Sequence, residues 1–340
     1  MASSSTSRAR PRASRATTCS TRSWPASTKP PSSRAERVSA LADPLAFDAE
    51  FLRRLEVLNV VARKILQGSL RADRKSIRKG ISAEFADHRA YVPGDDIRHV
   101  DWHLFGRLEE LFLKLYREEE NLHLSVLVDD SASMRFSPGE GPTTKLVYAL
   151  QVAAALSYIG LSNMDAVNLI PFSSRLGEGR WRLKGRAQIH SLFDTLREWR
   201  ERAGGETDLA AALTEFVKRE RRRGVVVVLS DCFDLDGFRG GLKSLRYAKH
   251  EVYVLQLSDP LEREPPVRGD LRLVDAETGQ AREVNVTDEL RARYREAYEA
   301  LFTSVERFCI QNEYGYSRAP TEVEFDELVL TILRRGGLVS

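Results

Sequence analysis

The run Val225 to Leu229 follows Gly224 and consists of four valines and a leucine. A β-branched run without polar alternation is typical of a strand buried on both faces, at the centre of a parallel sheet covered by helices. Further predicted strands and helices alternate along the chain. The strands are 122–128, 166–172 and 252–257, and the helices are 143–161, 187–199, 208–222 and 237–249. This alternation predicts an α/β fold with a doubly wound, mainly parallel sheet.

The segments on either side complete the predicted domain plan. Residues 1–40 carry eight Lys and Arg against one Glu and almost no large aliphatic side chains, which predicts a disordered basic tail. It resembles a transit peptide, and an extension upstream of the true start is the alternative. Residues 45–120 combine an amphipathic helix with a polar segment, 121–287 form the α/β domain, and 288–340 form a helical C-terminal extension.

Composition narrows the class of protein. The formal net charge is +3, yet without the basic tail the remainder carries a net charge of −4, which argues against a nucleic-acid-binding protein. Three scattered cysteines are too few for a disulfide framework or a zinc site, so a reducing compartment is expected. No apolar run reads as a membrane span. We therefore expect a cytoplasmic protein without an integral membrane segment or a nucleic-acid partner.

Oxygen-bearing side chains follow two of the predicted strands. Asp129, Ser131 and Ser133 are spaced i, i+2 and i+4 where one strand ends, and Asp231 follows the valine strand. Thr207 comes from a third loop, two residues after a Gly-Gly pair. Because ligands bind beyond the carboxyl ends of parallel strands, these five residues are expected to converge at one edge of the sheet. Hard cations such as Mg²⁺ take oxygen ligands of this kind.

The same residue types have a simpler interpretation. Asp, Ser and Thr often cap helices and turns without binding any ion, and Thr207 in particular could be an N-cap. Agreement between three separate loops favours the metal site, and this interpretation is the one we adopt.

A polar segment, 81–107, is dense in Asp, Arg and His and is interrupted by a Pro-Gly pair, so we predict neither a regular helix nor a strand there. One interpretation is a network of salt bridges, with Arg forks pairing carboxylates and Tyr91 and Trp102 as packing anchors. The other is a catalytic metal centre of His88, His99, Asp95 and Asp101, although no H-E-x-x-H spacing is present.

The three-loop pattern resembles the metal-ion-dependent adhesion site of von Willebrand factor A domains. The resemblance implies that Ser131 and Ser133 are direct Mg²⁺ ligands, that Thr207 is a direct or switching ligand, and that Asp129 and Asp231 act mostly through water. It also implies an under-neutralised ion with one position open to a partner's carboxylate, which suits binding more than hydrolysis.

The string from Phe85 to Trp102 resembles the hallmark of the bacterial "domain of unknown function 58" family, in which such a motif precedes a von Willebrand A-like domain. The residues that carry this resemblance are Arg89, Tyr91, Pro93, Gly94, Asp95, Asp96, Arg98, Asp101 and Trp102. The resemblance implies a MoxR-type AAA+ ATPase as partner, an unknown client protein, and a role in protein maturation or remodelling.

We therefore predict a non-enzymatic, Mg²⁺-dependent adaptor that works with such an ATPase. Two rivals remain open. One is a metal-dependent hydrolase that uses the His/Asp-rich segment 87–103, and the other is a scaffold whose ion site is vestigial. Nucleotide binding by this chain is not expected, because no phosphate-binding glycine motif is present.

Overall fold

A computed structural model describes residues 18–19, 45–73, 84–117, 122–136, 144–202, 204–275 and 279–334. The strands are β1 (Thr18–Cys19), β2 (Glu84–Ala90), β3 (Phe112–Arg117), β4 (His123–Asp129), β5 (Ala166–Phe172), β6 (Arg180–Leu183), β7 (Val225–Ser230), β8 (Glu251–Ser258), β9 (Gly269–Val274), β10 (Ala281–Val286) and β11 (Gly315–Pro320). The α-helices are α1 (Ala49–Asp73), α2 (Trp102–Leu108), α3 (Ala132–Arg135), α4 (Lys145–Ser162), α5 (Ile189–Arg200), α6 (Leu209–Arg219), α7 (Leu235–Tyr247), α8 (Pro260–Arg263), α9 (Asp288–Gln311) and α10 (Phe325–Arg334).

A six-stranded sheet with the order β11-β8-β7-β4-β5-β6 forms the centre of the fold. All neighbouring pairs are parallel except β5 and β6, which are antiparallel. The valine strand β7 lies between β4 and β8, and all six of its residues are buried. This topology confirms the mixed α/β class with a mostly parallel sheet. The apolar run of β7 fits its central position, because a central parallel strand is buried on both faces.

Helices pack on both faces of this sheet. One apolar layer joins the sheet to α1, α4, α5 and α10, and the other joins it to α6, α7 and α9. Within the described residues, α4 is the one helix long and apolar enough by length and composition to cross a bilayer, and 94% of its apolar stretch is buried inside the fold.

The N-terminal helix α1 belongs to the core. Phe47 and Phe51 surround Phe193 of α5, with ring centroids 4.5 and 6.2 Å from it. Arg54 forms a bidentate pair with Asp326 at 2.7 and 2.9 Å. Because that pair joins helices whose paired residues are 272 positions apart in sequence, it connects α1 to α10.

The predicted C-terminal extension is not purely helical. Its residues Gly315–Pro320 form β11, which pairs in parallel with β8 at the edge of the central sheet. The segment contains a serine, an arginine and a proline, so it has no apolar run from which to predict a strand. Arg318 faces outward and pairs with Glu299 and Glu306 of α9 at 3.1 Å.

The polar segment is more regular than predicted. Strand β2 pairs antiparallel with β3 through a bulge between Phe85 and Asp87, a 3₁₀ turn covers Ile97–His99, and α2 follows. The sequence signal failed because β2 carries adjacent charged residues instead of apolar alternation, and tertiary pairing overrode the weak local preference.

A separate three-stranded sheet contains the hairpin formed by β9 and β10. Thr18 and Cys19 pair with β9, opposite Val274 and Leu273, so that β9 is the middle strand of this sheet. This pairing departs from the expectation that all of residues 1–40 are disordered, and the rest of that tail lies outside the described residues.

Leu55→Ala tests whether α1 is part of the cooperative core. Leu55 is fully buried, and removing a buried leucine side chain costs about 2–5 kcal/mol through lost burial and the remaining cavity. Urea unfolding should show that loss. Val57→Ala is the matched control, because Val57 lies on the same helix with 59% exposure and should change stability by less than about 0.5 kcal/mol. Equal effects of the two changes would contradict the packing of α1 on the sheet.

Candidate functional site

Three loops meet at the carboxyl edge of the central sheet. Ser131 and Gly205 form an isolated parallel bridge, in which the Ala132 amide donates to the Gly205 carbonyl at 3.0 Å. A Cβ at Gly204 would lie 2.8 Å from the Cα of Ala132, so only glycine permits this approach. The Gly-Gly pair therefore brings the loop that contains Thr207 alongside the end of β4.

Asp129 connects the ends of the two central strands. It is fully buried at the last position of β4. Its Oδ1 accepts the Ser131 amide at 3.0 Å, and its Oδ2 accepts the Ser230 hydroxyl at 2.6 Å. Since Ser230 is the last residue of β7, these bonds fix the carboxylate next to Asp231 and the Ser131 turn.

The two serine hydroxyls are adjacent. Ser131 Oγ and Ser133 Oγ lie 3.0 Å apart, and both residues are buried. Ser131 occupies the N-cap position of α3 without making a side-chain cap bond. Its hydroxyl is therefore not used in the way that the helix-capping interpretation requires.

The capping interpretation of Thr207 is also wrong. The N-cap of α6 is Asp208, whose carboxylate accepts the Ala211 amide at 2.9 Å. The Asp208 amide in turn donates to the Ser173 carbonyl at 3.3 Å, which ties the Thr207 loop to the end of β5.

Asp231 forms a buried ion pair that the sequence did not suggest. Its Oδ2 lies 2.7 Å from the ammonium of Lys145, the first residue of α4. The same ammonium lies 2.7 Å from Glu262 Oε1 and 4.8 Å from the centre of the Phe233 ring. Lys145 is the single charged residue of an otherwise uncharged helix, and this isolation is the signal that could have revealed it.

The electrostatics of the edge follow from burial. Burial raises the pKa of Asp129, and repulsion from Asp231 raises it further. Burial alone would lower the pKa of Lys145, but attraction to Asp231 and Glu262 outweighs it, so the pKa is raised and the ammonium stays charged. Burial raises the pKa of Glu262 to about 7 and outweighs the attraction of Lys145. The edge therefore holds carboxylates that would gain from additional positive charge.

This donor set fits a small hard cation. Two neighbouring hydroxyls and a buried carboxylate that receives only neutral donors are suitable oxygen ligands for Mg²⁺. Asp231 is already engaged by Lys145, which fits an outer position for this residue better than a direct one. In the part of the chain that the structure describes, no cluster of three or more His, Cys, Asp or Glu forms a metal centre. A site here would depend on hydroxyl groups.

Cys232 adds no nucleophile to this edge. It is 1% exposed, and burial raises the pKa of its thiol well above the usual range. The amide of Cys232 donates to Ser230 Oγ at 3.0 Å, so the residue helps to hold the serine that binds Asp129. Its role is packing and positioning.

The carboxylates of the polar segment are engaged in local structure. Asp101 caps α2 by accepting the His103 and Leu104 amides, and its other oxygen lies 3.0 Å from His88 Nε2 and 3.3 Å from Lys114 Nζ. Contact with His88 is the main reason that the pKa of Asp101 falls to about 2. This geometry matches the predicted salt-bridge network.

The Pro-Gly turn is held in the same way. Asp95 accepts Arg89 at 2.6 Å and the Val92 amide at 3.1 Å, and Asp96 pairs with Arg98 at 2.7 Å. Gly94 adopts a φ of +103°, which favours glycine over other residues. The turn after Pro93 therefore depends on a specific backbone conformation as well as on charge pairs.

The expectation that Trp102 is a packing anchor is wrong. Its side chain is 61% exposed, and its ring forms an edge-to-face arrangement with Phe105, at 6.2 Å between ring centroids. Tyr91 is only partly buried, and its backbone amide bonds to the Leu111 carbonyl at 2.8 Å.

The fold and this edge define a mixed α/β protein with a mainly parallel six-stranded sheet and a polar site at its carboxyl end. Residues 87–302 match the family described as "Protein of unknown function DUF58", and the chain belongs to that family. Uncharacterized proteins of Mycobacterium bovis and Mycobacterium tuberculosis are 29% identical over 271 residues, which cover 76% of this chain and 81% of theirs. An uncharacterized Mycobacterium avium protein is 36% identical over 124 residues, covering 36% of this chain and 73% of its own.

Solved structures give more distant similarities. The conserved hypothetical protein BatB from Bacteroides thetaiotaomicron is 11% identical, with a TM-score of 0.35, over 63% of this chain and 98% of that one. An aerotolerance-related membrane protein from Bacteroides fragilis is 12% identical, with a TM-score of 0.33, over 63% of this chain and 100% of that one.

Proposed function

We propose that this protein is a non-enzymatic adaptor that binds Mg²⁺, or another divalent cation, at the carboxyl edge of its sheet and uses the ion to hold an acidic side chain of a partner. The fold around the ion is of the von Willebrand factor A type, and the site is a metal-ion-dependent adhesion site. The partner is a MoxR-type AAA+ ATPase or its client, and the setting is protein maturation or remodelling in the cytoplasm.

The observation that carries the proposal is the arrangement of Asp129, Ser131 and Ser133. The fully buried Asp129 carboxylate accepts the amide of Ser131, whose hydroxyl lies beside that of Ser133. The Ser131 hydroxyl does not cap a helix. A buried carboxylate without a cation is costly, because its desolvation is not offset by a charge partner. A divalent ion at this position supplies that charge.

In this proposal the chain's own residues have distinct tasks. Ser131 and Ser133 would bind the ion through their hydroxyls. Thr207 would be either a permanent direct ligand or a ligand that binds the ion in only one state of the site. Asp129 and Asp231 would act mostly through water, each held in place by neighbours within the sheet edge. When bound, the ion offers an open coordination position to a carboxylate from outside.

A scaffold with a vestigial ion site is the second candidate, and one observation favours it. The Lys145 ammonium already lies 2.7 Å from Asp231, so part of the negative charge is compensated without any metal. The hydrolase alternative finds less support. Two of its four candidate residues are carboxylates that already have partners. Asp95 accepts hydrogen bonds from Arg89 and from the Val92 amide. Asp101 contacts His88 and Lys114 and accepts the His103 amide, so the oxygens of both carboxylates are committed to local structure.

Mg²⁺ should raise the melting temperature of the wild-type protein, because a ligand that binds only the native state stabilises it. At a concentration 100 times the dissociation constant the gain is about 2.7 kcal/mol. Ser131→Ala should lose most of this gain, as measured by thermal melts in Mg²⁺ and in chelator. Asp129→Ala should also abolish the heat of Mg²⁺ binding in isothermal titration calorimetry.

Ser125→Ala provides the matched control for these melts. Ser125 is a buried serine in the middle of β4, where it accepts Asn168 Nδ2 at 2.9 Å, so the variant should be less stable yet keep the full Mg²⁺ shift. Identical wild-type melts with and without Mg²⁺ would instead favour the vestigial scaffold.

A MoxR-type ATPase should co-purify with the wild-type protein in Mg²⁺ and be lost in chelator. Ser131→Ala should abolish retention in both conditions, whereas Ser125→Ala should retain the ATPase, because only the former removes a ligand of the ion. Retention that is equal in Mg²⁺ and in chelator would contradict a bridging ion, even if the two proteins form a complex.

A further inference from the structure

Lys145 is an unusual residue for its position. Its side chain is fully buried, and it begins a helix whose other residues carry no charge. The N-terminal end of a helix carries partial positive charge, so an ammonium there is unfavourable. Burial adds a large desolvation cost for a cation of this size. A neutral side chain would avoid both costs, so we expect the lysine charge to have a role at the carboxyl edge of the sheet.

The contacts of Lys145 direct its charge to the sheet edge. Asp231 and Glu262 each lie 2.7 Å from Nζ, and the Phe233 ring covers the ammonium at 4.8 Å. Asp231 is 2% exposed, so water does not screen the pair. In a low-dielectric setting the ammonium cancels most of the field of that carboxylate toward the neighbouring ion position.

We propose that Lys145 determines the net charge of the occupied metal site. By taking up the charge of Asp231, it leaves Asp129 as the main anion inside the fold that acts on a divalent cation. The net charge of the occupied site is then one unit more positive than it would be without the lysine, which favours binding of an anionic group such as a partner's carboxylate. This inference rests on the proposed metal site and assigns a positioning and specificity role to a residue outside the ligand set.

Glu262 acts in the opposite direction. Glu262 lies on α8, and its Oε1 contacts the same Lys145 ammonium as Asp231 does. Its Oε2 has no hydrogen-bond partner among the described residues. The hydroxyl of Tyr294 donates to the Glu262 carbonyl at 2.8 Å, so the backbone of this turn is fixed independently of the carboxylate. By drawing part of the ammonium's charge away from Asp231, Glu262 strengthens the negative field at the ion.

Two neutral variants should therefore change Mg²⁺ affinity in opposite directions. Lys145→Met should bind Mg²⁺ about tenfold more tightly or better than the wild type, because both carboxylates then act on the ion. Glu262→Gln should bind it several-fold more weakly, because the ammonium is then shared with one carboxylate only. Mg²⁺ itself is the probe, and isothermal titration calorimetry with folding checked by circular dichroism is the measurement.

Lys184→Met is the matched control for the loss of one lysine charge. Lys184 is exposed, and its charge acts on His123, which begins β4 at the end of the strand opposite to Asp129. Its Mg²⁺ affinity should equal that of the wild type. In saturating Mg²⁺, acetate at constant ionic strength should raise the melting temperature of the wild type and raise that of Lys145→Met less.

The outcomes separate this role from the metal site itself. Mg²⁺ binding in the wild type with equal or weaker binding in Lys145→Met would overturn the role of Lys145 and leave the metal site in place. Weaker binding in both Lys145→Met and Glu262→Gln would indicate a purely structural role and would also overturn it. The absence of Mg²⁺ binding in every variant would remove the metal site, and the inference with it.

Lys145→Gln is a second variant in case Lys145→Met does not fold, because the amide can still donate to Asp231 and should also tighten Mg²⁺ binding. If neither variant folds, Glu262→Gln alone decides. Weaker binding by this variant supports the proposal, and equal or tighter binding overturns it.

Discussion

The hydrogen bond from Ser230 to Asp129 joins the ends of the two central strands, and the geometry of the whole edge depends on it. The bond is 2.6 Å long and completely buried. It holds a carboxylate at the end of β4, whose other oxygen shapes the turn that carries Ser131. Parallel pairing of β4 with β7 and β5 places these groups in register, and the two apolar layers of helices keep water away from them. A polar site can exist at this depth because each of these donors is fixed by regular structure.

Charge at this edge is distributed between a fixed cation and the proposed ion site. Lys145 is held by Asp231 and Glu262 inside the protein, whereas Asp129 receives only neutral donors. The edge can therefore be stable although the charge of Asp129 is not compensated by any cation of the described chain. This division also connects α4 and α8, which lie outside the predicted ligand loops, to the chemistry of the site. The polar family motif is built differently, since its carboxylates are paired within the segment or cap its own helix.

The sequence predicted the parallel core well, because buried strands such as β7 need a continuous apolar run and amphipathic helices keep their period. It also indicated all three loops of the candidate site, since Asp and Ser directly after buried strands, and Thr shortly after a Gly-Gly pair, are distinctive. It missed β2 and β11, whose residues are polar and whose pairing partners are tertiary neighbours. Lys145 and Glu262 were missed because 116 residues lie between them in the chain, and only folding brings the carboxylates of Asp231 and Glu262 to the Lys145 ammonium. Trp102 was misassigned because a large aromatic residue in a motif suggests burial, whereas its helix exposes it.

Anomalous diffraction from crystals grown with Mn²⁺, a substitute for Mg²⁺ with a strong anomalous signal, tests the central claim most directly. The account predicts one peak within about 2.2 Å of the hydroxyl oxygens of Ser131 and Ser133, with Asp231 still bound to Lys145. A peak elsewhere, or none at this edge in a well-ordered crystal with millimolar Mn²⁺, would contradict it.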